Sequence, residues 1–253
     1  MDIYDKKPED VLKKEFFEQY KELYEDIWQR LTHVGTTIII LERIESFPFW
    51  DRFYSPQDNI FWTMVYTNFM YVAIILLHGL TKDNVSDTHT LVNFKNKILA
   101  NLNEESMKAE YQKKLKTAKL DTSLNDIHDK ITEMRHKIIA HRLFDKNDKN
   151  KLQSVKRVTL PEIRQVYNDI EKLFRVCSFG SRYLTTYYIE GTCGGKPIEK
   201  DIDHLLDLIV KDSYWLNEPE RRPLDWEALK KTKSSEEILE LNQWRKKFGM
   251  PEV

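Results

Sequence analysis

The residues best equipped for chemistry lie in one run, Glu133-Met134-Arg135-His136-Lys137-Ile138-Ile139-Ala140-His141-Arg142. An imidazole titrates near neutrality, so His141 can accept or deliver a proton at physiological pH. A guanidinium keeps its charge and presents a planar fork of donors, so Arg135 can grip oxygens on which negative charge builds. On a helix the two lie about 120° apart. His141 falls close to the apolar stripe Leu124, Ile127, Ile131, Met134, Ile138, while Arg135 falls on its flank beside His128 and Arg142. The plainer reading is that a lone His on an apolar face is a hydrogen-bonded core residue and the nearby Arg makes an ion pair.

The run resembles the signature of the HEPN superfamily, all-α proteins that include many RNA-cutting toxins. That signature is an Arg, a polar residue, four variable residues and a His, filled here by Arg135, His136 and His141. With Lys137 two after the Arg and Ala140 just before the His, it looks like the abortive-infection, AbiU-type branch. The order of elements upstream extends the resemblance over roughly residues 20–190.

The resemblance implies a metal-independent endoribonuclease of a phage-defence or toxin system. The substrate's own 2′-hydroxyl would attack the adjacent phosphate, leaving 2′,3′-cyclic phosphate and 5′-hydroxyl ends. His141 would move the proton and Arg135 would hold the developing charge. His136, Lys137 and Arg142 would contact substrate, although an exposed His136 also suits an ordinary surface residue. The resemblance further implies a homodimer, with two motif helices meeting across a two-fold axis, and an antitoxin or regulatory protein as a further partner. In HEPN toxins silenced by a nucleotidyltransferase, a modified Tyr stands two residues after the motif His. Here that position is Leu143, so control by that modification is not expected. The alternative function is a catalytically silent helical module that binds RNA or a partner protein, and a third is a purely structural bundle.

Charge agrees modestly with an RNA partner. The whole chain carries a formal net charge of -1, so any polyanion surface must be local. From Lys108 to Arg157 basic residues outnumber acidic ones by about two to one. Lys113, Lys114, Lys116, Lys119, Lys149, Lys151, Lys156 and Arg157 could line a phosphate path together with the motif's own cations, or form a solvated face. No cofactor is expected. The histidines His33, His78, His89 and His204 show no ligand spacing, Cys177 and Cys193 fit no zinc motif, and Gly194-Gly195-Lys196 lacks the rest of a phosphate loop. Two cysteines suit reduced thiols in a cytoplasmic protein. Met1 to Pro8 holds no apolar run, so no signal peptide is expected.

The elements that must position the motif are helices. Only 7 Gly and 8 Pro in 253 residues disfavour β-rich folds. Leu12, Phe16, Tyr20, Leu23, Ile27, Leu31 and Val34 recur at helical spacing, predicting a long first helix from Pro8 that bends near Gly35 or continues through Ile38 and Leu41. Residues 57–80 read as an apolar central helix covered by neighbours. Asn59 to Thr81 has no charged side chain, so the segment is also long enough for a membrane span, but it carries Thr63, Thr67, Asn68 and His78 and lacks basic flanks. Further helices are expected over 88–102, 104–118, 124–144 with caps at Asp121-Thr122-Ser123, and 161–188 after a Thr159 cap. The expected fold is all-α, an antiparallel helical bundle of HEPN type over residues 1–195. A helical C-terminal extension, 196–253, would pack on it, with Trp215, Trp226 and Trp244 as anchors.

Overall fold

The computed structural model describes residues 6–46, 60–81, 88–140, 158–178, 192–193 and 196–253. Among these, residues 60–63, 137–140, 192–193, 196–197 and 199 are described by their backbone alone. The chain is mostly helical, and it divides into two compact units, Met1–Ile198 and Glu199–Val253.

The first unit contains α1 (Pro8–Val11), a 3-10 turn (Lys14–Phe16), α2 (Phe17–Glu45), α3 (Ile60–Thr81), α4 (Leu91–Ala100), α5 (Glu105–Thr117), α6 (Leu120–Ala140) and α7 (Leu160–Cys177). Thr192–Cys193 and Lys196–Pro197 add a two-residue antiparallel pair. The first helix is interrupted, contrary to expectation. Leu12 is extended and bridges to Leu102, while the Lys13 N–H donates to the Asn101 carbonyl at 2.9 Å. From Phe17 onward the helix is continuous through Gly35. The whole apolar stripe is buried, because α2 packs on α3, α4 and α7. Tyr20 stacks on Phe94 at 5.4 Å between ring centroids, and Phe174 closes the cluster at 5.0 Å from Tyr24 and 5.8 Å from Phe94. Burial of such side chains contributes about 1.5–3 kcal/mol each, which fixes α2, α4 and α7 together.

Thr159 caps α7, accepting from the Glu162 N–H while the Glu162 carboxylate accepts from the Thr159 N–H at 2.8 Å. This helix ends at Cys177, with Ser178 extended, and the rest of the expected helix, 179–188, lies outside the described residues. In turn α6 begins earlier than its sequence suggests. Lys119 adopts a positive φ of 50°, and Asp121, Thr122 and Ser123 sit inside the helix rather than capping it.

The apolar helix α3 meets length and composition criteria for a membrane span, yet it packs against α2, α6 and α7 as a bundle's central helix does. Its cover is one-sided, not complete as expected. Ala73, Ile74 and Leu77 are buried, whereas Met64, Val72 and Ile75 are 57%, 46% and 55% exposed.

The second unit holds α8 (Ile198–Asp212, with Ile198 at the boundary), α9 (Glu218–Arg221), α10 (Trp226–Thr232) and α11 (Ser235–Lys247). Here α11 starts with a second capping box, Ser234 and Glu237. Leu241 and the Arg245 side chain are buried in this unit, together with Leu216 and Trp226.

Candidate functional site

Helix α6 carries the motif from Arg135 to Ala140, and three helices hold it. It packs against α3, α7 and α5. Leu124, Ile127, Ile131 and Met134 recur every three or four residues, and all four are buried. That buried stripe fixes the helix's rotation and so the direction of every polar side chain on it. Arg135 is partly buried on the flank of the stripe, and His136 is exposed. Lys137 lies on the helix, which ends at Ala140; its side chain is outside the description. His141 and Arg142 lie outside the described residues, as do Leu143 and the cations at 149, 151, 156 and 157. The structure therefore places Arg135 and His136 side by side in the last turns of α6.

Arg135 belongs to a polar stripe that sequence reading overlooked. Asp121, Asn125, His128, Thr132 and Arg135 fall within about 80° of one another around α6, with Asp121, His128 and Arg135 two turns apart, about 10 Å per step. His128 is fixed from both sides. Its Nδ1 lies 3.2 Å from Thr81 Oγ1, and its Nε2 lies 3.5 Å from Thr132 Oγ1. Thr81 Oγ1 also lies 3.1 Å from the His78 carbonyl, so one hydroxyl links the two helices at this point. The His78 and His128 rings lie 5.2 Å apart where α3 meets α6.

Beside this stripe a cavity of about 330 Å³ opens between α4 and α6, lined by Thr81, Val92, Lys95, Asn96, Asp121, Leu124, Asn125 and His128. A second hollow of about 410 Å³ adjoins it, shares Lys95 and Asp121, and adds Gln112, Lys116 and Lys119. Lys95 has only 11% of its side chain exposed and is ion-paired to Asp121, whose side chain is 75% exposed. A lysine so buried needs such a partner. Lys113, Lys116 and Lys119 are exposed along α5 and the turn after it.

Beneath these hollows the Cys177 thiol is fully buried, and burial pushes it up to about 12, with the nearby Lys95 charge opposing the rise. It is inert at neutral pH. No group of three or more His, Cys, Asp or Glu side chains among the described residues could hold a metal ion. Against known proteins, no family model, no curated protein and no solved structure matches the chain.

Proposed function

We propose that the chain is a HEPN-type, metal-independent endoribonuclease of a defence or toxin system, cutting RNA to 2′,3′-cyclic phosphate and 5′-hydroxyl ends. One observation carries the reading: the Arg135-His136 pair sits in the last turns of a helix locked between α3 and α7 of an all-α bundle, and His141 follows that helix directly in sequence. Lysines at 113, 116 and 119 add cationic surface for a phosphate backbone.

In this reaction the ribose 2′-oxygen forms the new bond to phosphorus and the 5′-oxygen leaves. His141 handles the proton and Arg135 neutralises charge on the non-bridging oxygens. Arg135 is partly buried, and a phosphate contact that is sheltered from solvent is stronger than one in open water. His136, Lys137 and Arg142 contact the substrate.

The test is cleavage of mixed RNA in EDTA by the wild type, Arg135→Ala and His141→Ala. Each substitution should lower the rate about a hundredfold or more with the helical content intact. RNA lacking the 2′-hydroxyl at the cut position should survive, because the nucleophile is gone. Arg135→Lys should not restore full activity, since an ammonium cannot make the planar two-point grip. Cleavage that persists in both alanine variants, or that requires magnesium, would refute the mechanism. Absence of cleavage by the wild type on any RNA would favour a silent RNA- or protein-binding module.

A further inference from the structure

The paired hollows flanking Lys95 and Asp121 are not needed for the strand-cutting step, and they have a donor-acceptor pattern of their own. Lys95 comes from α4 and Asp121 from α6, and their contact sets an ammonium against a carboxylate at the boundary of the two hollows. The pair keeps spare capacity. An ammonium has three donors and a carboxylate about four acceptor positions, so one mutual bond leaves both able to bind a ligand.

We infer that this pair is a guanine subsite, in which the Asp121 carboxylate accepts from the N1–H and N2–H₂ of the base and Lys95 donates to O6. Guanine alone among the four RNA bases offers two parallel donors next to an acceptor on one edge. Adenine, cytosine and uracil each offer a carboxylate a single donor on that edge. The 330 Å³ cavity is at the small end of ligand pockets, which suits one base with its sugar and excludes a duplex. Leu124 and the His128 ring supply apolar and aromatic wall for the base. On the far side of the pair, Lys116 and Lys119 line the second hollow and provide cations for the attached phosphate.

The subsite deepens the ribonuclease reading and rests on it for its biological setting. Asp121 lies on the same face of α6 as Arg135, about 21 Å away along the axis, so a single strand held at Arg135 can reach the hollow a few nucleotides from the cut. A guanine in an RNA strand and a free guanine nucleotide share this chemistry, and the experiment separates them.

Purified full-length protein is titrated with 5′-GMP, 5′-AMP, 5′-CMP and 5′-UMP by calorimetry. GMP should bind on the order of tenfold tighter than the others, the discrimination that one good two-point base contact gives. Asp121→Asn replaces one of the two acceptors by a donor and should abolish that preference; because it also takes away the buried Lys95's partner, the double variant Lys95→Met/Asp121→Asn, which leaves no unpaired charge, should likewise bind the four nucleotides equally. Lys119→Ala should weaken all four nucleotides alike, because phosphate carries no base information. Equal binding of the four nucleotides, no binding by any, or an undiminished guanine preference in Asp121→Asn overturns the subsite.

The source of the base is read by competition. If the strand supplies it, a short non-cleavable RNA with one guanine displaces GMP better than GTP does; if a free nucleotide supplies it, the order reverses. Cleavage that depends on Arg135 yet shows no guanine bias beside its cut sites removes the subsite and leaves the ribonuclease. Guanine binding by a protein that cuts no RNA leaves the subsite and removes the ribonuclease.

Discussion

A guanidinium with 1% of its side chain exposed must have its donors occupied, and Arg245 does. Its Nε donates to the Pro251 carbonyl at 2.7 Å, Nη1 to the Leu216 carbonyl at 2.8 Å and to Glu220 at 3.0 Å, and Nη2 to the second Glu220 oxygen. Hydrogen bonding to Arg245 holds the Glu220 carboxyl below its ordinary value of 4.5, against a smaller opposing effect of burial. A lowered folded value means the contribution is complete above the unfolded pKa and disappears as pH falls through the folded one. The Glu199–Val253 unit should therefore lose protection in acid below roughly pH 4.5, and Glu220→Gln should flatten that slope. Hydrogen exchange over residues 213–253 between about pH 3 and 6 measures it. Parallel curves for the two proteins would exclude Glu220 as the cause. Thr32 presents the opposite case. Its hydroxyl is buried on α2 with no hydrogen-bond partner among the described residues. A methyl of the same shape should cost nothing there, so Thr32→Val should leave the urea midpoint unchanged or raise stability by about 1 kcal/mol. A loss of about 2 kcal/mol would mean that the hydroxyl has a partner.

At the scale of elements, caps and interruptions decide where helices begin. Thr159 and Glu162 satisfy N–H groups that would otherwise lack partners at the start of α7, so Thr159→Ala should cost about 1 kcal/mol in chemical denaturation. A loss below about 0.3 kcal/mol would show that water replaces the cap. This start was legible because its signal is local: Thr, Pro and Glu within four residues. The break at Leu12 was not, since it is made by backbone pairing to Leu102, Asn101 and Asn103, about 90 residues away. Nor was the start of α6 legible. Asp121, Thr122 and Ser123 are good capping residues, and nothing in the local pattern shows that the chain has already turned at Lys119. The same distinction governs the site. Arg135, His136 and the buried stripe share one helix and could be read from spacing. Lys95 and Asp121 stand on different helices, and only their packing creates the hollow.

At the scale of the whole molecule, the number of copies follows from the chemistry proposed. One protomer supplies one Arg135 and one motif His, and a phosphorane needs charge neutralisation together with proton transfer on two sides, from attacking and leaving oxygens. Two motif helices meeting about a two-fold axis would supply both sets, so the active species is expected to be a homodimer. In that case the rate per molecule of protein is constant above the dimer dissociation constant and falls in proportion to concentration well below it. Light scattering should give twice the 30.4 kDa chain mass at micromolar concentration. Activity measured on serial dilution should then fall over the same range in which the mass halves. A protein that stays fully active as a strict monomer would show that one copy of Arg135 and His141 suffices, and would remove the two-fold site while leaving the residue assignments to the alanine variants.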